Sequence, residues 1–139
     1  MNNDIPIVER PREFVCIVCP VGCPLKVDGE GDSIKVTGNT CPRGEAYGRQ
    51  EYLRPMRVVT SSVAVRGGDR PLVSVKTKGE IEKARIPAAL EAIRGLWVDA
   101  PIAIGQTLAD DLADTGTPLI ATTAVAKGKV SRCSRQREV

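Results

Sequence analysis

The sequence predicts an α+β fold: a small N-terminal cysteine-ligated metal module built on a β-hairpin, followed by a small α+β domain. Three observations carry that expectation. Four of the five cysteines crowd into positions 16, 19, 23 and 41. Apolar and polar residues alternate on both sides of the turn-forming run Asp28-Gly29-Glu30-Gly31-Asp32, the pattern of a half-buried hairpin. Beyond residue 57, two more alternating stretches precede one with helical periodicity. The expected boundaries are 13–60 for the metal module and 61–124 for the second domain, with extended tails over 1–12 and 125–139.

Along the chain, residues 1–12 are polar and carry Pro6 and Pro11, which favours an extended arm. Phe14, Val15, Ile17 and Val18 surround the first cysteines. Leu25 and Val27 alternate with polar residues on the outgoing strand of the hairpin, Ile34 and Val36 on its return. A hairpin brings its ends together, so Cys23 and Cys41 are expected to finish close in space. A short helix is expected over 45–53, ending before Pro55, because the residue ahead of a proline avoids the helical region. Strands are expected over 58–66 and 71–76, with Gly67-Gly68-Asp69 as the turn between them. Residues 83–94 read as a helix with Ile86, Ala89, Leu90 and Ile93 on one face. Pro87 suits its first turn and Gly95 its end. Short strands are expected over 96–98, 102–104 and 118–122, while 108–112 fits either a strand or one helical turn.

Composition narrows the function. With 42% hydrophobic and 27% charged residues, the chain is globular rather than disordered. No apolar run approaches the roughly 20 residues of a membrane-spanning helix. The N-terminal stretch has neither a basic start nor an apolar core of a secretory signal, so a cytoplasmic protein is expected. Four aromatic residues (one Trp, two Tyr, one Phe) are too few for a base-stacking surface. A net charge of +3 does not by itself call for a polyanion, so no nucleic-acid partner is expected. Histidine is absent, which removes the commonest general base and nitrogen ligand. Any metal must therefore be held by sulfur or oxygen.

The sulfurs are clustered. Two residues separate Cys16 from Cys19, three separate Cys19 from Cys23, and seventeen separate Cys23 from Cys41. Thiolates are soft ligands, and four at these spacings can converge on one centre. Cys19, Cys23 and Cys41 each precede a proline, which holds them in extended or turn geometry. Gly22 and Gly44 let the backbone approach the sulfurs closely and aim N–H groups at them. Three readings compete at this point: a [4Fe–4S] cluster, a structural Zn2+ ion, and a redox dithiol on Cys16 and Cys19. Cys133, within the basic stretch that carries Lys127, Lys129, Arg132, Arg135 and Arg137, reads as a free thiol.

The runs CIVCPVGCPLKV, IKVTGNTCPRGEAYGRQ and LRPMRVVTSSV resemble the N-terminal iron–sulfur segment of molybdopterin oxidoreductases. There, three close cysteines precede a hairpin, and a fourth cysteine precedes a basic-Gly pair. The span from Cys23 to Cys41 is shorter than in those enzymes, and the chain is far too short to enclose a molybdopterin. Over residues 13–123 the chain is similar to the small DUF1667 proteins, whose later Pro-Ile-x-Ile-Gly and Thr-Gly-x-x-x-Ile-Ala-Thr patterns stand here at 101–105 and 115–122. That resemblance implies a setting beside FAD-dependent oxidoreductases and glycerol-3-phosphate dehydrogenase-like enzymes.

The function expected is therefore an iron–sulfur electron-transfer subunit of a multi-subunit FAD-dependent oxidoreductase, with that FAD subunit as partner. Cys16, Cys19, Cys23 and Cys41 are the cluster ligands, while Gly22, Gly44, Lys26 and Arg43 tune potential or docking. The alternative is a zinc-stapled assembly module of such a complex. The acidic residues are scattered and no nucleophile–base pair is recognisable, so no catalytic residue is expected, and the chain reads as a non-catalytic accessory subunit.

Overall fold

The computed structural model describes residues 11–129, which form an α+β protein. Two compact units part between Pro55 and Met56, five residues before the boundary expected from sequence.

In the N-terminal unit, β1 (Arg12–Val15), β2 (Pro24–Asp28) and β3 (Lys35–Thr37) make an antiparallel sheet in that order, and α1 follows over Pro42–Leu53. The hairpin is the one the alternation foretold: β2 and β3 pair Lys26 with Thr37 and Val27 with Val36. Leu25 and Val27 are buried while Pro24, Lys26 and Asp28 are exposed, as the two-residue period of a strand requires. β1 was not foreseen as a strand. It pairs Phe14 with Leu25 and Val15 with Pro24, and so fixes where the cysteine loop begins.

Helix α1 starts three residues before the position read from sequence. Pro42 occupies its first turn, where a missing N–H costs nothing and the fixed φ is already helical. The helix packs on β2 and β3 at Gly48. A Cβ there would lie 3.0 Å from Val36 Cγ1 and 3.3 Å from methyls of Leu25 and Val27. The missing side chain is what lets the helix lie close to the sheet. Arg49 donates to the Ile34 carbonyl at 3.1 Å and the Tyr52 hydroxyl to that of Gly29 at 3.1 Å, tying the helix to the hairpin.

The second unit runs β4 (Met56–Arg57), β5 (Thr60–Arg66), β6 (Leu72–Thr77), β7 (Ile81–Glu82), a 3-10 turn (Lys83–Arg85), α2 (Ile86–Arg94), β8 (Trp97–Asp99), β9 (Thr107–Ala109) and β10 (Leu119–Ala121). β4 pairs with β7, and the other five strands form a sheet in the order β8-β5-β6-β10-β9. β8 is parallel to β5, and α2 lies on the crossover that returns it there. One sheet face is the core: Val63, Val65, Val73, Val75, Leu119 and Ala121 pack with Ala89 and Ile93 of α2 and with Ile81, Ile102, Leu112 and Val125. Each aliphatic side chain buried in this way contributes roughly 1.5–3 kcal/mol. The one buried polar side chain among the described residues, Thr77, accepts the Val59 N–H at 3.0 Å.

Further expectations change in and beyond this unit. Residues 83–85 form a 3-10 turn rather than the start of the α-helix. The stretch 102–104 is reduced to a single bridge, Ile102 to Val125. That bridge buries Val125, and Lys127 bridges to Gly68, so residues 125–129 belong to the fold and not to a tail. In the same way Arg12 belongs to β1 and not to an N-terminal arm. Cys133 and the rest of the basic stretch beyond residue 129 lie outside the described residues. Among the described residues, no helix is long and apolar enough to cross a membrane.

Candidate metal centre

The four cysteines all belong to the N-terminal unit, and the strand register carries them to one end of its sheet. β1 stops at Val15 and β2 begins at Pro24, so the intervening loop leaves and re-enters the sheet at one point. The Cys16 N–H donates to the Cys23 carbonyl at 2.9 Å and closes it. Gly22 takes φ +66°, a left-handed conformation that a β-carbon disfavours, and so turns the chain back into β2. Cys16 and Cys23 are buried with Leu25, against Phe14, Val36 and Tyr47. Cys19, at the loop's middle, is half-buried.

From the other side, β3 returns the chain to the same end. Gly38 has φ +88°, and a Cβ there would run into the Pro24 carbonyl, so only glycine allows this crossing over the start of β2. The Cys23 Sγ lies 3.1 Å from the Thr40 hydroxyl, next in sequence to Cys41. Cys41 is the N-cap of α1, in extended conformation at φ −145° and ψ 163°, as its following proline demands. Asn39 Nδ2 donates to its carbonyl at 3.2 Å.

The electrostatics favour a thiolate at Cys41. The backbone N–H of Gly44 and then that of Arg43 hold its pKa below the ordinary thiol value. Partial desolvation opposes this, and the Arg43 guanidinium adds a smaller effect in the lowering direction. N–H groups of a first helical turn act in this way on any anion placed there, and that of Gly44 also donates to the Cys41 carbonyl at 3.1 Å.

All four thiols are free. Among the described residues, no three or more His, Cys, Asp or Glu side chains stand grouped as metal ligands do. The fold thus brings the four cysteines to one end without closing their sulfurs around a point. Thr40 and Gly48 take part in this arrangement, as does Asn39, and the first two were not singled out in the sequence. The run Gly38-Asn39-Thr40 ahead of Cys41-Pro42 was the available signal, since Gly-Asn marks a turn and a short turn must set its polar side chains against its neighbours.

The sequence profile of a family described as "Protein of unknown function (DUF1667)" matches residues 42–123, more than half of the chain. The match begins one residue after Cys41, so all four cysteines lie ahead of it. Among solved structures, the chain is similar to the NMR structure of Clostridium perfringens protein CPE0013. The two are 24% identical over 56% of this chain and 93% of that one, with a TM-score of 0.49. No curated protein matches the chain.

Proposed function

The chain belongs to the DUF1667 family, and on that premise we propose that its N-terminal unit holds a [4Fe–4S] cluster on Cys16, Cys19, Cys23 and Cys41. In this reading the protein is the electron-transfer subunit of a cytoplasmic, multi-subunit FAD-dependent oxidoreductase, in a glycerol-3-phosphate dehydrogenase-like setting. It takes no catalytic part itself. The observation that carries the reading is four free thiols at one end of a hairpin, one of them capping a helix whose N–H groups favour its thiolate.

The donor set fits such a centre. It is entirely sulfur, and soft thiolates select iron–sulfur clusters and zinc. When bound, the cluster supplies a one-electron redox centre. The chain's own residues present the thiols on a loop closed at Cys16 and Cys23, and offer the N–H groups of Gly44 and Arg43 to the negative charge there. Metal binding and ordering of the ligand residues are coupled, so drawing the four sulfurs together is part of the binding reaction.

One observation favours zinc on the same thiols as a second reading. The buried side chains around the cysteines are few, with only Cys16, Cys23 and Leu25 in the cluster, and so small a core gains most from a staple. Anaerobic purification of the full chain decides between them. The expected product is brown, contains iron and acid-labile sulfide in equal amounts, and is bleached when substrate is added with the FAD subunit. A colourless chain with one zinc per molecule would sink the electron-transfer reading and leave the assembly module.

A further inference from the structure

Of the nine exposed large apolar side chains among the described residues, four lie within a seven-residue span: Val15, Ile17, Val18 and Val21, at 61%, 75%, 43% and 71% exposure. They flank the half-buried Cys19: Val15 ends β1, and Ile17, Val18 and Val21 belong to the loop whose ends are the buried Cys16 and Cys23. The valines and isoleucine in a loop of this kind gain nothing in stability from facing water. A concentrated apolar patch of this sort marks an interaction site.

Charge and size say what covers it. Residues 14–25 contain no charged side chain. The nearest cation on the strands, Lys26, stands opposite Glu13 across the β1–β2 pair, so the two offset each other. Nothing in the patch attracts an anionic lipid or a polyanion. Four aliphatic side chains exposed to this degree make a patch on the order of 400 Å², the size of a single functional patch on a monomer. A lasting homodimer buries roughly 2,000 Å² or more, whereas redox encounters bury less than about 1,200 Å².

We propose that Val15, Ile17, Val18 and Val21 form the docking face for an uncharged, apolar surface of the FAD-dependent oxidoreductase subunit. This assignment rests on the function proposed above and specifies how its partner binds. Seating these side chains on the partner removes water from around the thiol end of the module, which is where electrons must cross.

The test uses the full chain, purified anaerobically, and a separately purified candidate FAD-dependent oxidoreductase subunit. We compare wild type with Ile17→Asp/Val21→Asp and with the milder Ile17→Ser/Val21→Ser. Neither pair alters a cysteine or a buried side chain, and iron content checks that each variant retains the centre. The expected result is unchanged iron, binding weakened about tenfold or more in the Asp pair and less in the Ser pair, and slower reduction by substrate. Wild-type binding is expected to change little between low and high salt, since an uncharged face is not screened. Iron retained with binding unaltered in both variants overturns the docking face alone. So does steep salt dependence, sedimentation with phosphatidylserine vesicles, or a stable dimer that the Asp pair dissociates. Failure of iron-loaded wild type to bind the FAD subunit removes the partner named in the proposed function, and this face falls with it. A wild-type chain without iron overturns the proposed function, and this face falls with it.

Discussion

The two units solve the problem of stability differently. The C-terminal unit buries thirteen side chains in one cluster between a five-stranded sheet, α2 and the 102–125 loops. Among the described residues the N-terminal unit has three short strands, a 3-10 turn (Gly31–Ser33), one α-helix and a buried cluster of Cys16, Cys23 and Leu25, to which Val27 and Ile34 add a little. One unit rests on hydrocarbon. The other commits two of its buried positions to thiols and lets the helix settle through glycines, Gly44 and Gly48, both buried. On the proposed function, those two buried thiols serve as ligands as well as core.

The sharpest way to break this contrast is to remove the sulfurs. Cys16→Ser, Cys19→Ser, Cys23→Ser or Cys41→Ser is each expected to abolish iron and visible absorption, whereas Cys133→Ser leaves both unchanged. Any one of the four that retains full iron content removes that residue from the ligand set. Metal analysis on anaerobic protein reads the result directly.

Next in size is a cavity in the other unit. Leu119 is fully buried, and Leu119→Ala is expected to cost about 2–5 kcal/mol in denaturant unfolding of that unit. Iron content should not move. Loss of iron on this substitution would mean that the two units are not independent in stability.

A smaller effect is expected from Gly38→Ala, about 1–3 kcal/mol, through its positive φ and the Pro24 carbonyl its Cβ would meet. Here the loss should fall on the N-terminal unit, seen as easier release of the metal to a chelator, with the second unit's unfolding midpoint unchanged.

The smallest is a titration. Metal-free Cys41 should react with iodoacetamide at a pH below that of an ordinary thiol, because N–H groups of Gly44 and Arg43 favour its thiolate. The sign is that of a lowered folded-state pKa: the thiolate's favourable contacts are present above the unfolded pKa and are lost as pH falls through the folded one. Arg43→Ala removes the guanidinium but not the backbone N–H groups, so it should raise the reaction's midpoint only slightly. A midpoint returned all the way to that of a free thiol would make the side chain, and not the helix terminus, the dominant cause.

Much of the protein was legible because its signals are local. Alternation over residues 25–27 and around Val36, and the helical face of Ile86, Ala89, Leu90 and Ile93, arise from the period of the element itself and stand where the sequence put them. The turn expected at 28–32 falls later, with a 3-10 turn over Gly31–Ser33 and Ile34 ahead of β3. The cysteine spacing likewise named the candidate ligands, since chelation depends on chain length between donors. What the sequence could not decide depends on partners distant along the chain. β1 is a strand because β2 offers it an edge. The 102–104 stretch is reduced to a bridge, and Val125 is core, because these two segments meet only in the folded unit. The start of α1 turned on whether Pro42 would end one segment or open the next. Proline permits both, and only in the folded unit is it decided: Pro42 opens the helix, which brings Gly44 against Asn39 and Leu25.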